Sequence, residues 1–197
     1  MAVRATIQIG HPALKAPNQE ITDFSAPELV QLVEDLRDTM RATGLIGIAA
    51  PQIGENFKVF VTEPRETNTR PADQADELRV YINPKIVYQS EEKVVIWEGC
   101  GSVLNAKLFG PVERSKVVEV EASDVTGGKF RFKADGILGR VIQHEQDHLD
   151  NSEFTEHILD YGKLKAVEFY IKDEKNKPEH LAAQKITIKE FREIKGI

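Results

Sequence analysis

The stretch His144-Glu145-Gln146-Asp147-His148 sets two imidazoles four positions apart, with a carboxylate directly after the first. On a helix four residues advance about 400°, so both rings stand on one face, one turn apart, within reach of one ion. This is the H-E-x-x-H pattern of metal hydrolases, in which the glutamate sits beside the ion and holds a water. Such a site takes a third protein ligand and keeps a fourth position for chemistry. A metzincin-type site places that ligand on a His six residues past the second His, but this position is Phe154, which excludes the pattern. A thermolysin-like site takes a downstream glutamate, and Glu168 stands twenty residues past His148. The third source is Cys100, the single cysteine, held between two glycines in Trp97-Glu98-Gly99-Cys100-Gly101-Ser102. Glycines let a backbone approach an ion, and a thiolate with two imidazoles is a catalytic ligand set. Beside such a helix Cys100 is the preferred ligand, and Glu168 stays open as the alternative.

A second stretch, residues 44–54 (GLIGIAAPQIG), carries small residues at Gly47, Ala49 and Ala50 that permit close backbone packing. Its Gln52 offers a neutral amide donor of the kind that stabilises an oxyanion. Asp147, inside the first motif, is placed to support a ligand from behind or to cap the helix.

These residues need elements to hold them. The run SAPELVQLVEDLRDTMRATG reads as a helix: Ser25 as N-cap, Glu28 completing a capping box, Leu29, Leu32, Val33, Leu36 and Met40 on one face, and Gly44 as the stop. FKVFVT, LRVYINPKIVY, KVVIW, KVVEVEAS and KFRFKA are short and rich in β-branched and aromatic residues, and read as strands. TEPRETNTRPADQADE reads as a loop and DVTGG as a turn. Ile137, Leu138, Val141 and Ile142 give the metal motif a helical apolar face. The expected architecture is α+β in a single domain, with antiparallel strands around a central metal-binding helix.

The 197 residues suffice for one core, and 41% hydrophobic with 29% charged residues is ordinary globular composition. A net charge of −6 argues against direct nucleic-acid binding. One cysteine allows no intrachain disulfide, no run of 18 apolar residues is present, and the first ten residues carry neither an apolar stretch nor more than one arginine. The expected setting is the reducing cytoplasm, with no membrane association; an organellar protein without its leader reads the same way. Residues 160–197 stand apart, with nine Lys/Arg and seven Asp/Glu, a balance of +2 against −8 for residues 1–159. The expectation is a catalytic domain over 1–159 and a charged, partly helical extension over 160–197, packed on the domain and contributing little to catalysis. YGKLKAVEFYIKDEKNK reads as an amphipathic helix, and ITIKEFREIKGI is ambiguous.

Three segments together, Gly47-Ile48-Ala49-Ala50-Pro51-Gln52, Glu98-Gly99-Cys100-Gly101-Ser102 and Gln143-His144-Glu145-Gln146-Asp147-His148, resemble in order and spacing the motifs of peptide deformylases: G-x-G-x-A-A-x-Q, E-G-C-x-S and Q-H-E-x-D-H. The likeness covers roughly residues 1–160. It implies a hydrolase that removes the formyl group from the N-terminal formyl-methionine of nascent polypeptides; the +2 balance of the tail adds the ribosome as a weaker candidate partner. It implies Cys100, His144 and His148 as ligands of one divalent ion, Fe2+ by family habit and Zn2+ or Ni2+ on the same ligands. It implies Glu145 as the proton carrier, Gln52 and the Gly101 N–H as oxyanion donors, and Glu98 as a carboxylate orienting the cysteine loop. It implies a peptide laid along Ile46–Gly47 as an added strand, with Ile137, Arg140 and Val141 near its side-chain pocket. The other readings are an H-E-x-x-H peptidase or amidase using Glu168, and a non-catalytic binder of N-termini.

Four positions depart from the family pattern. Leu45 stands where the first motif has glycine, Gly101 follows the metal cysteine where leucine is frequent, and Lys107 is the expected counterpart of an arginine after the second motif. Arg140 occupies a position that is apolar in many bacterial members, and mitochondrial-type members are similar to this chain in lacking the first glycine and in carrying a basic residue there. From sequence, the Arg140 stem walls the pocket while its charge reaches outward, and Leu45→Gly or Arg140→Ile raises activity on formyl-Met peptides.

Overall fold

The computed structural model describes residues 3–67 and 70–194. Helix α1 (Pro27–Thr43) starts on a proline whose fixed φ suits the first turn. Its N-cap is Ala26, which offers no capping side chain. Ser25 is one residue too early to cap: its N–H and hydroxyl both turn back to Asp23 Oδ1, at 2.9 and 2.6 Å. Leu29, Leu32, Leu36 and Met40 are buried and Gly44 closes the helix at φ 74°, in the left-handed region.

Six antiparallel strands form the main sheet: β1 (Gly47–Ala49), β2 (Val59–Thr62), β3 (Arg79–Gln89), β6 (Val118–Ser123), β7 (Lys129–Ala134) and β9 (Lys189–Glu193), adjacent in that order. A smaller sheet is built from β4 (Lys93–Glu98), β5 (Leu108–Ser115) and β8 (Lys165–Ala166). Side chains alternate across the main sheet with period two. Ile48, Val59, Val61 and Ile82 pack with the apolar face of α1. Ala49, Phe60, Tyr81, Val120 and Phe132 pack with Leu138, Val141 and Ile142 of helix α2 (Gly136–Leu149). The other side of α2 meets the small sheet, where Gln143 Nε2 donates to Ser115 O at 2.9 Å. Twelve of the fourteen α2 residues are buried, all but Gln146 and Asp147. A helix enclosed this way holds its side chains in fixed rotamers, the condition a metal site needs.

Segment 108–115 forms a strand that the sequence conceals behind Gly110-Pro111; Pro111 is tolerated because it pairs opposite Trp97 near the end of the ladder. The tail is built differently from the expected single amphipathic helix. It gives the two-residue β8, helix α3 (Val167–Asp173), helix α4 (Pro178–Gln184) and β9, which adds to the free edge of β7. The end of ITIKEFREIKGI, from 195 to 197, lies outside the described residues. No helix among the described residues is long and apolar enough to cross a membrane.

Candidate active site

Cys100, His144 and His148 converge: one ligand atom from each lies within 4.8 Å of the others, and all three residues are buried. Cys100 Sγ is 3.2 Å from His148 Nε2 and receives the Ser102 N–H at 3.4 Å. His144 Nδ1 lies 2.9 Å from Glu98 Oε2, which assigns the proton to Nδ1 and leaves Nε2 for an ion. Glu168 is exposed on α3 and is not part of this cluster, so the downstream-glutamate alternative fails on geometry.

Glu98 is the hub behind His144, so it orients a ligand as well as the loop. Arg114 Nε and Nη2 reach its two oxygens at 2.8 and 3.0 Å, and Arg140 Nη1 reaches Oε1 at 2.7 Å. Burial alone raises a carboxyl pKa, yet Arg114, His144 and Arg140 hold Glu98 well below the usual range. Asp147 takes the remaining Arg114 nitrogen, Nη1, at 2.7 Å. This corrects two readings. Lys107 is exposed and does not line the cavity, and the arginine of the same segment that reaches the site is Arg114. Arg140 turns inward, 3% exposed, and donates also to Val112 O at 2.9 Å and Val94 O at 2.6 Å; its charge does not reach outward.

The cluster fits a divalent ion. Burial lowers the pKa of both imidazoles, but at His144 the Cys100 and Glu98 hydrogen bonds overrule it and raise the value well above normal. His148 is held well below normal by burial and then by His144, hence neutral and ready to ligate. Positive charge is thus favoured on the His144 ring, between Glu98 and Cys100. Glu145 Oε2 is a buried oxygen with no hydrogen-bond partner. One sulfur and two imidazole nitrogens form the donor set of a borderline ion such as Fe2+, Ni2+ or Zn2+.

Glu145 lies beside these ligands, 2% exposed, and burial pushes its carboxyl up to about 7. A cation nearby pulls it back down. Gln52 is fixed by its own main chain: Oε1 accepts the Ala49 N–H at 2.8 Å, so Nε2 faces Cys100 Sγ and Ser102 Oγ, each at 3.4 Å. Gly47 lies so close to α2 that a Cβ there would stand 2.5 Å from Val141 Cγ2 and 2.6 Å from Glu145 Oε1. A Cβ on Gly101 would meet Leu45 Cδ1 at 2.7 Å. The two departures from the motif pattern thus adjoin: Leu45 fills the space that a side chain at position 101 would enter.

β1 is the last strand of its sheet. Glu63 N–H donates to Ile46 O at 2.8 Å, which makes 46 and 63 a hydrogen-bonded pair. By antiparallel alternation the main-chain groups of Gly47 face the free edge. A cavity of about 210 Å3 opens below this edge, and Ile46, Gly47, Glu98, Ile137, Arg140, Val141, His144 and Glu145 reach it. Trp97, Phe109, Arg70, Tyr170 and Gln184 also line it. Four of these five are lone residues outside any motif; Trp97 alone is legible, as the end of a strand-like run beside the cysteine loop.

Residues 3–163 match the family described as Polypeptide deformylase. A peptide deformylase of Thermomicrobium roseum is 40% identical over 176 residues, covering 88% of this chain and 94% of that protein. One from Roseiflexus sp. is 41% identical over 175 residues, covering 84% and 94%. A solved Met-Ala-Ser-bound class I type b peptide deformylase from Acinetobacter baumannii superposes with TM-score 0.73 at 30% identity, covering 80% of this chain and 99% of its own. That of Thermotoga maritima gives TM-score 0.71 at 28% identity, covering 81% and 100%.

Proposed function

The chain belongs to the polypeptide deformylase family, metal-dependent hydrolases that remove the N-formyl group of nascent polypeptides, and from that premise we propose how its residues divide the work. Cys100, His144 and His148 hold one divalent ion, with Fe2+ as the native metal and Zn2+ or Ni2+ as substitutes on the same ligands. When bound, the ion supplies Lewis acidity, making water nucleophilic near neutral pH. The formyl peptide pairs with the Gly47 edge as an added strand, so main-chain bonds give affinity and the cavity reads the first side chain, methionine. Water attacks the formyl carbon; Glu145 takes its proton and returns it to the leaving nitrogen, and formate departs with a free amine. The oxyanion receives hydrogen bonds from Gln52 Nε2 and the Gly101 N–H, donors typically worth about 3–4 kcal/mol each. Glu98, held by Arg114 and Arg140, keeps His144 in its ligating tautomer. The catalytic unit is 1–159 and the segment 160–197 is its extension. The setting is the cytoplasm, where chains emerge from the ribosome.

The observation that carries this reading is the convergence of Cys100, His144 and His148 beside an unpartnered, buried Glu145 below a free strand edge. The test is formate release from a formyl-Met tripeptide by protein prepared without oxygen and loaded with iron, beside the same protein loaded with zinc. Faster turnover with iron supports the assignment; equal or faster turnover with zinc overturns Fe2+ as the working metal.

A further inference from the structure

The family match ends at residue 163, but the cavity does not. Tyr170 of α3 and Gln184 at the end of α4 line the same space as Gly47 and Glu145. Their position is built in. β8 pairs with β5, Leu108 opposite Ala166 and Phe109 opposite Lys165, which sets α3 against β5. The Tyr170 ring then lies flat on Phe109, centroids 4.2 Å apart and planes 4° from parallel, and 6.0 Å from Trp97. Tyr170 is 6% exposed. Its hydroxyl is 3.1 Å from His180 Nε2, and Gln184 Nε2 is 2.8 Å from the same nitrogen. Both side chains thus converge on one ring nitrogen, and burial keeps the His180 pKa near 4.

The chain is anchored again where it leaves the cavity. The buried Asp135 carboxylate, just before α2, accepts the N–H groups of Thr187 and Ile188 at 2.7 and 2.8 Å, and the Thr187 hydroxyl. β9 then joins the main sheet at β7. A segment tied to both sheets and to the start of the metal-bearing helix is a fixed wall, so part of the tail expected to contribute little to catalysis lines the cavity.

We propose that residues 164–194 form a selectivity wall: Tyr170, stacked on Phe109 and braced by His180 and Gln184, sets how deep the first side chain of a formyl peptide can enter, so that side chains bulkier than methionine are refused. The proposal rests on the deformylase reading of the site. Its physical basis is that a stacked aromatic pair closed on its far side has no room to retreat, and a well-packed apolar pocket discriminates by size.

The test is kcat/KM for formyl peptides bearing Ala, Met or Phe first, for wild type, Tyr170→Ala and the milder Gln184→Ala. Tyr170→Ala is expected to raise the Phe-to-Met ratio by at least about tenfold, the selectivity that one methylene can command in an apolar pocket. The Ala peptide changes little and bound metal stays constant. Gln184→Ala, which leaves the stack in place, shifts the ratio in the same direction by less. Ratios matching wild type in both folded variants overturn the wall. If Tyr170→Ala does not fold, Gln184→Ala alone decides. If wild type releases no formate from any peptide, the proposed function fails instead, and calorimetric binding of the unformylated peptides in the same series still reads the wall: an unchanged size profile overturns it.

Discussion

Arg140→Ile is expected to lower both the melting temperature and the affinity for metal. By family pattern an apolar residue at 140 improves the enzyme. In the folded chain it removes a buried guanidinium that donates to Glu98 Oε1 at 2.7 Å, Val112 O at 2.9 Å and Val94 O at 2.6 Å. Breaking a buried pair by removing one partner costs about 3–5 kcal/mol. Glu98 keeps the two-pronged bond from Arg114, and isoleucine returns some apolar burial, so the loss falls near the lower end, about 3 kcal/mol. For a chain of this size each kcal/mol moves Tm by about 2–4 °C, so Tm drops by about 6–12 °C. A second effect follows through Glu98, which loses one of the groups fixing it and so holds His144 less firmly. Weakening such a support behind a ligand costs about 10–100-fold in metal affinity. Thermal unfolding at fixed metal concentration measures the first, and competition with a chelator the second. A variant that melts within about 2 °C of wild type and binds metal equally well refutes the reasoning.

Glu145→Gln is expected to keep its metal while formate release falls by about 10²–10⁴-fold, because the side chain stands beside the ligands and not among them; loss of metal would make Glu145 a ligand or a folding residue. Leu45→Gly is expected to lower kcat/KM, because it empties the space over Gly101, and Gly101→Leu alone is expected to clash. The double variant recovers, with a coupling energy of about 1–3 kcal/mol in a double-mutant cycle; additive effects would disprove that positions 45 and 101 share one space. His180 has a folded pKa near 4, below its unfolded value of about 6.5, so between these values the unfolded chain binds more protons. Its contribution to stability is complete above pH 6.5 and is lost as pH falls toward 4. Burial is the main cause; Arg140 and Lys175 act in the same direction, while Glu174 and Glu179 oppose them. Hydrogen exchange in α3 and α4 is expected to quicken over this window in wild type and less so in His180→Gln, and an identical pH profile in the two removes His180 as the cause.

How far the sequence carries depends on whether a signal is local. Spacing places His144 and His148 on one helix face, and β-branched runs mark five of the strands, because both patterns come from neighbouring residues. Ser25 was a reasonable cap by type, yet Pro27 moved the helix start and Asp23 captured the serine. The partners of Glu98 were hidden because Arg114 and Arg140 reach it from 16 and 42 residues away, across a strand pairing that no local pattern encodes. Arg140 in particular read as a snorkelling surface charge; only the enclosure of α2 between two sheets turns it inward. The place of the tail was hidden for the same reason. Tyr170 and Gln184 belong to no motif, and they acquire a role from β8 and β9 docking onto separate sheets.

The most direct test of the metal site is formate release measured while metal is titrated into metal-free protein without oxygen. Activity is expected to rise linearly and break at one equivalent per chain, and Cys100→Ala is expected to show neither the break nor the activity. Turnover that persists in Cys100→Ala, or that requires a second equivalent, would contradict a single ion held by Cys100, His144 and His148.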